Sequence, residues 1–472
     1  MLERRRDVLR RRLGSGHSSD PEKSDYSSDS QPVHKHRITE LALELVTPDV
    51  STRSPAPRLP PRYANQNNVM YIPIIQDCVC EFLSPHSAMA VAQTCSSLLR
   101  PAVRQLWSSS TVPIQYLLGL LPGTEISERG CFLQLKSPKK HSDMEDPDSD
   151  SFNRLNIYAP HIRHLISDTI DVDIIICEED WHDLLWIVRN EVLLPRLISL
   201  TICGDSVLRD LLEILVRPSI KEVHMLSCEF FLLEAVSACS SLESLSLVSA
   251  SYGSEPVILE QDLPLSLERL TIPAHELHTG LLARLAGMQN LQELDLVGVC
   301  DYIFLTDADS YPPGAFTALK SLVVHQSLDL EAEYMWTTPI VTNLTRLELT
   351  REFGDPTESD IAYFDIVAGA CPNISSLNLA HWSDDGEPDE VSAVAILQLQ
   401  SLKLNSLELR NLQVVPHLNI IPYTWPLMVT LDLHNHMTPL NNLLEIACQM
   451  SRLRRLTPFY FVAYCTMFKS DP

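Results

Sequence analysis

The chain has 472 residues, a formal net charge of −25 at pH 7 and a hydrophobic content of 45%. This length exceeds what one compact core can use, so it predicts either several domains or an extended array of repeats. The acidic charge argues against nucleic-acid binding, which needs a basic surface, and no apolar run approaches the roughly 18 residues of a membrane-spanning helix.

Residues 1–68 are predicted to form a disordered tail. They combine arginine clusters (Arg4–Arg6 and Arg10–Arg12), a Ser/Asp run from Ser18 to Ser30 and a proline-rich stretch from Pro55 to Pro61. Such a mixture buries too little apolar surface to fold. Two functional interpretations are a nuclear-import or acidic-partner patch for the arginines and phosphorylation for the serines, and a plain solvated tail is the alternative.

Residues 69–123 are predicted to form a small domain of three short helices. Apolar residues recur there at helical spacing, and Ser84-Pro85-His86-Ser87 can end the first helix and cap the second. Three helices in about 40 residues give too small a core to be stable alone. We therefore expect a partner, or the rest of the chain, to cover one face.

A linker is predicted over residues 124–155, with a charged low-complexity loop at 136–151. Residues 156–465 then repeat one six-residue phrase twelve times, apolar at its first, fourth and sixth positions. The fourth positions are leucine in all copies but one: Leu165, Leu200, Val223, Leu245, Leu270, Leu294, Leu322, Leu347, Leu377, Leu407, Leu431 and Leu456. Residues 466–472 complete the chain as a short tail.

The alternation within the phrase predicts a short strand with one buried face. The phrase recurs about every 22 to 35 residues, close to the spacing of leucine-rich repeats. One unit cannot bury its own leucines, so neighbours must stack and align their strands in a parallel sheet. The prediction is an α/β fold, a solenoid of about 12 irregular leucine-rich repeats with a parallel sheet on its concave side.

Cysteine usage and chemical motifs point away from catalysis. Twelve cysteines are scattered without a CxxC pair, and a charged stretch stands where a secretory signal would be, which predicts an intracellular protein in the cytoplasm, the nucleus or both. No phosphate-binding glycine loop or zinc motif occurs, and the pairs Cys78/Cys80, His34/His36 and His434/His436 supply too few ligands for a metal. We expect no catalytic residue, metal or cofactor, and Cys239, Cys371 and Cys448 are predicted to be small buried thiols.

The helical segment resembles an F-box, most closely the fungal type. The resemblance is carried by the Ile72-Pro73 start, a first helix ending in Phe82-Leu83, a small-residue helix with Cys95, and the closing Leu106-Trp107. Ile74 and Ile75 depart from the Glu-Leu that commonly follows the proline. The ninth position of the repeat phrase is Cys only at Cys228, which is similar to the irregular repeats of F-box proteins.

An F-box followed by leucine-rich repeats resembles the substrate receptor of an SCF-type ubiquitin ligase. The resemblance implies a non-catalytic adaptor that docks on a Skp-family protein, and through it on a cullin scaffold, while the repeats hold a client. It implies that the following residues divide between helical core and adaptor contact: Ile72, Pro73, Ile75, Val79, Phe82, Leu83, Leu98, Leu99 and Trp107. The alternative is a protein-interaction scaffold without a ubiquitin link, whose first helices cap the repeats.

The fifth position of the phrase should point out of the sheet, because side chains alternate along a strand. Four of these positions in the later repeats are carboxylates: Asp295, Glu348, Glu408 and Asp432. We hypothesise that they attract a basic segment of an unidentified client. Arg346 and Arg455 at nearby third positions could pair with some of them locally, and a solvated acidic face is the alternative.

Overall fold

The computed structural model describes residues 73–95, 97–114, 117, 120, 125–129, 132–136, 157–167, 173–176, 194–203, 215–226, 236–237, 239–248, 263–277, 279–298, 311–326, 333–351, 358–381, 389–415, 418–436, 438–458 and 461–462. All of them belong to the unit Pro60–Pro472. The predicted tails (1–68 and 466–472), Ile72, Cys228 and the charged loop beyond Lys136 lie outside the described residues.

Three short helices open the described chain: α1 (Pro73–Glu81), α2 (Pro85–Thr94) and α3 (Leu99–Ser109). Ser84 caps α2 as predicted, because its hydroxyl accepts a hydrogen bond from the Ser87 N–H at 3.2 Å and proline occupies the first helical turn. The core between α2 and α3 is built from small and apolar side chains: Ala88, Met89, Ala92, Ala102, Val103, Leu106 and Trp107. Helix α1 packs on α3.

All twelve predicted repeat strands are present in one parallel sheet. They are β4 (His164–Ser167), β6 (Ser199–Cys203), β7 (Glu222–Leu226), β8 (Ser244–Val248), β9 (Arg269–Pro273), β10 (Glu293–Val297), β11 (Ser321–Gln326), β12 (Arg346–Arg351), β13 (Ser376–His381), β15 (Ser406–Arg410), β17 (Thr430–His434) and β19 (Arg455–Pro458). Each fourth-position residue aligns with that of the next strand, as in the Leu347–Leu377 and Leu377–Leu407 pairs. The chain folds as a leucine-rich-repeat solenoid, as predicted.

The backbone joins successive repeats in one repeated manner. The carbonyl of each second position, such as Arg163, accepts hydrogen bonds from two consecutive N–H groups of the next repeat, here Ile198 at 2.8 Å and Ser199 at 3.0 Å. The same arrangement continues at every junction to Val429, which accepts from Arg454 and Arg455. Because it satisfies buried N–H groups and fixes where each strand begins, it sets one register for the whole sheet.

The main sheet has a thirteenth strand that the repeat pattern did not predict. Strand β1 (Thr111–Pro113) follows α3 directly and pairs in parallel with β4. Val112 and Ile114 are fully buried at the fourth and sixth positions of the phrase, while Ser109 occupies the first. The repeat sheet therefore begins inside the range predicted for the helical domain.

The remaining elements lie between the repeat strands. The helices are α4 (Thr279–Ala286), α5 (Glu333–Trp336), α6 (Glu358–Ala370), α7 (Ala393–Gln398), α8 (Ile420–Thr424) and α9 (Leu440–Gln449), and short 3-10 turns cover Ala159–His161, Ala274–Glu276, Pro339–Val341 and Leu399–Ser401. Strands β14 (Asp389–Ser392) and β16 (Leu412–Val415) pair in parallel, as do β18 (Thr438–Pro439) and β20 (Phe461–Val462). No helix in the described part of the chain is long and apolar enough to cross a membrane.

The segment predicted as a linker contains ordered strands. Strands β2 (Glu125–Arg129) and β3 (Phe132–Lys136) form an antiparallel hairpin, and β5 (Asp173–Ile176) extends it in parallel with β3. This small sheet is separate from the main sheet.

Candidate functional site

Helix α1 turns its apolar side away from the helical core. Gln76 and Cys80 are buried, whereas Ile74 is 73% exposed, Val79 37% and Phe82 89%. Ile74 and Val79 of α1, with Phe82 directly after its last residue, are together called the outer stripe of α1 below. Since soluble proteins usually place large apolar side chains inside when a core can accept them, an exposed apolar helix side next to a polar buried one marks a surface for a partner.

Polar contacts between α1 and α3 hold this orientation. The Arg104 guanidinium on α3 forms an ion pair with Asp77 on α1 at 2.8 Å. The Gln105 side-chain amide donates to the Glu81 carbonyl at 3.4 Å. These contacts lie on the side of α1 that faces α3, so the outer stripe is left uncovered.

The residues that the F-box resemblance singled out fall into two groups. Leu98 and Trp107 are buried, and Trp107 stacks on Tyr158 with ring centroids 5.3 Å apart. Ile75 and Leu83 are half-buried, and the exposed members are Pro73, Val79, Phe82 and Leu99. Ile74 departs from the F-box sequence pattern and was not among the predicted contact residues, but it also belongs to the exposed group.

The strand face is defined here as the side of the main sheet that carries the third, fifth and seventh positions of the phrase. Burial alternates along the strands as predicted, with the fourth and sixth positions inside. The fifth positions form one continuous row through the paired strands: Pro113, Ile166, Thr201, His224, Ser246, Thr271, Asp295, Val323, Glu348, Asn378, Glu408, Asp432 and Thr457. The sheet thus brings the four predicted carboxylates onto one surface.

Three of those carboxylates are paired with cations on the same face. Glu348 lies 3.4 Å from Arg410 and 3.6 Å from Arg346, and Glu408 lies 2.7 Å from the Arg410 Nε and 3.1 Å from His434. Asp432 lies 3.2 Å from Arg455. The hydrogen bond that Arg410 donates to Glu408 is the main cause that raises the pKa of Arg410. Much of the predicted attraction for a basic client is therefore neutralised within the protein.

The buried Asn378 lies on the strand between the two that Arg410 joins. Its guanidinium reaches from β15 to Glu348 on β12, across the intervening strand β13 that carries Asn378. The Asn378 side chain is only 4% exposed, and neither its oxygen nor its nitrogen has a hydrogen-bond partner among the described residues. The ion pair of Arg410 with Glu348 thus links β15 to β12 across β13.

Asp295 differs from the other three carboxylates. It has no ion-pair partner in the described part of the chain. Its Oδ1, like that of Asp432, is buried without a hydrogen-bond partner there. Burial raises the pKa of Asp295, and the nearby Glu348 raises it further, while His325 and a hydrogen bond from Thr271 oppose the shift. Among the four predicted carboxylates, Asp295 is therefore the one that an incoming cation would meet without a cationic partner.

Two of the three cysteines predicted to be small buried thiols are confirmed as such. Burial raises the pKa of Cys239 to about 11 and that of Cys371 to about 12, so neither is a ready thiolate nucleophile. The prediction for Cys448 is wrong, because this residue is exposed on α9. Among the described residues, no group of three or more His, Cys, Asp or Glu side chains could hold a metal ion.

Comparison with known proteins gives little beyond these observations. No protein-family profile matches the chain, and no curated protein matches it. One solved structure that it resembles is an internalin from Listeria monocytogenes, at 12% identity and a TM-score of 0.28, over 79% of this chain and 86% of that one. The fold assignment rests on the paired strands of the main sheet.

Proposed function

We propose that this protein is the substrate-recognition adaptor of an SCF-type ubiquitin ligase and has no catalytic activity of its own. In this proposal the outer stripe of α1 docks on a Skp-family adaptor, which links the chain to a cullin scaffold. The strand face holds a client protein. The observation that carries the proposal is the exposure of Phe82 and Ile74 beside the buried Gln76 and Cys80.

Large apolar side chains that the core leaves exposed are suited to act as interface anchors. Ile74 lies in the first turn of α1, Val79 lies in its last turn and Phe82 follows its last residue, so exposed apolar side chains occur at both ends of the helix. Such exposed apolar residues fit a hydrophobic groove of a partner. Truncating one central anchor of an interface commonly weakens binding by about 2 kcal/mol or more.

A binding assay with the purified Skp-family adaptor tests the proposal. Phe82→Asp places a charge in the outer stripe and should abolish binding, because the charge would have to be desolvated in an apolar contact. Leu444→Asp is the matched control, since Leu444 is 56% exposed on the distant helix α9. If the unaltered protein does not bind the adaptor, or if Phe82→Asp binds as well as Leu444→Asp, the proposal fails.

For the client, the observations favour Asp295 as the receiving carboxylate within the predicted set of four. Glu348, Glu408 and Asp432 already have cationic partners, so a client cation would have to displace them. The client is not identified, and capture with the full chain as bait is the first step. With a captured client, Asp295→Asn should weaken binding more than Asp432→Asn does, and equal effects would contradict the assignment.

The second candidate is a protein-interaction scaffold without a ubiquitin link, in which the helices only cap the sheet. One observation favours it: α3 runs directly into β1, which covers the edge of β4, and Trp107 stacks on Tyr158 at the start of the array. Capping is compatible with adaptor docking, because it uses α3 and leaves the outer stripe of α1 free. Only the adaptor-binding assay separates the two candidates.

A further inference from the structure

A basic cleft lies where helices α1 and α3 meet the start of the repeat array. It has a volume of about 220 Å³, and its walls carry Arg104 from α3, His161 and Arg163 from the segment before β4, and Arg196 from the segment before β6. Asp77 and Glu81 of α1 line the opposite wall. Three arginines therefore converge on one cleft in a chain whose net charge is −25.

The positive charge of the cleft is only partly compensated. Arg104 is paired with Asp77 at 2.8 Å. Arg163 and Arg196 are both exposed, and neither side chain has a hydrogen-bond or ion-pair partner among the described residues. Long cationic side chains that face a cleft without counter-charges are available to an anion.

His161 lines the same cleft. Its Nδ1 atom is buried and has no hydrogen-bond partner in the part of the chain that the structure describes. Burial lowers the pKa of His161, and the charges of Arg104, Arg196 and Arg163 lower it further, against a small opposing effect of Asp77. The lowered pKa favours the neutral ring, so the positive charge of the cleft comes from the arginines.

We propose that this cleft binds a phosphate monoester. The two unpaired guanidinium groups would donate paired hydrogen bonds to phosphate oxygens, the geometry in which arginine binds this group best. An adjoining groove, lined by Leu99, Val103, Ile157 and Tyr158, shares Arg104 and His161 with the cleft and would take the carbon part of the ligand.

Calorimetric titration of the full chain tests this inference, in a buffer of fixed ionic strength. The probes are inorganic phosphate, a short leucine-containing phosphoserine peptide and the same peptide without phosphate. We expect both phosphate-bearing probes to bind and the unmodified peptide not to bind. Because the groove would take the carbon part, the phosphopeptide should bind more tightly than inorganic phosphate. Equal binding of these two probes would contradict a monoester ligand.

The double variant Arg163→Gln/Arg196→Gln should weaken phosphate binding by about tenfold or more, because each charge-assisted hydrogen bond is lost. Its matched control is Arg452→Gln/Arg454→Gln, two exposed arginines at the other end of the array, which should leave the affinity unchanged. Absence of binding by both phosphate-bearing probes would overturn the inference, as would equal weakening by the two double variants. The assay contains no ligase component, so its outcome is separate from that of the proposed function.

Discussion

The helical segment and the repeat array differ in how completely they bury their apolar side chains. In the array, the fourth- and sixth-position side chains from β4 to β17 are almost completely buried, and every junction repeats the same pair of backbone hydrogen bonds. In the helical segment, α1 buries Gln76 and Cys80 and leaves Ile74 and Phe82 exposed. Stacked neighbours complete each repeat, whereas three short helices are too few to cover all of their own apolar surface.

This difference separates stability from binding. Residues of the array should matter for folding, and residues of the outer stripe of α1 should matter for association with a partner. Trp107 belongs with the array in this respect, because it is 5% exposed and stacks on Tyr158.

The largest expected effect is in the core of the array. Leu347 is fully buried between aligned leucines of the adjacent strands, so Leu347→Ala removes its transfer free energy and leaves a cavity. The loss should be about 4 kcal/mol in the free energy of unfolding, measured by urea denaturation. A loss below about 1 kcal/mol is typical of a surface substitution and would contradict a tightly packed core at Leu347.

Acid should weaken the C-terminal repeats through His436. This side chain is 3% exposed, its Nε2 accepts a hydrogen bond from the Val414 N–H at 3.2 Å, and its Nδ1 therefore donates to the Thr438 hydroxyl. Burial lowers the pKa of His436 to about 4 from 6.5. Between those values the unfolded chain binds a proton that the folded chain does not, so stability falls as the pH falls.

The expected loss between pH 7 and pH 4 is about 3 kcal/mol, the equivalent of the shift in pKa. It can be measured as the pH dependence of the free energy of unfolding. His436→Gln should remove this contribution, while His86→Gln, at an exposed position on α2, should leave it in place. An unchanged pH profile in His436→Gln would contradict the assignment.

A smaller effect is expected at the turn that follows β15. Asn411 has a φ of 53°, in the left-handed region, and accepts a hydrogen bond from the Asn435 side chain of the next repeat. Asn411→Ala should cost about 2 kcal/mol, since alanine pays for the backbone conformation and loses the hydrogen bond. Asn411→Gly relieves the backbone cost and should lose less, and a larger loss for glycine than for alanine would be inconsistent with this explanation.

The smallest effect on stability is expected at the outer stripe of α1. Because Phe82 is 89% exposed, Phe82→Ser removes almost no buried surface. Its thermal unfolding should match that of the unaltered protein, with a difference within about 0.5 kcal/mol. Strong destabilisation would show that Phe82 packs within the protein and would remove the contrast between the two regions.

The sequence predicted most of the fold, because the fourth-position leucines mark twelve strands. These leucines also align from strand to strand, so they define the register of the parallel sheet. The prediction missed β1, since Ser109 is polar at the first position of the phrase. It also did not single out Asn411 and Asn435, which take the left-handed conformation at the eighth position after β15 and β17.

The candidate site was less predictable. Helix α1 has apolar residues on more than one side, so its sequence alone does not indicate that Gln76 faces inward and Ile74 outward. The acidic row on the strand face was identified, but its main counter-charge was not. Arg410 and His434 lie on the same face at the seventh position of the phrase, whereas the prediction used only the third and fifth positions.

Hydrogen–deuterium exchange of the full chain with and without the Skp-family adaptor tests the central claim most directly. The proposal predicts that amides of α1 (Pro73–Glu81) become protected when the adaptor binds, while those of α9 (Leu440–Gln449) exchange as before. Protection confined to the repeats, or no change in α1 at saturating adaptor, would contradict the claim that the outer stripe of α1 is a docking surface.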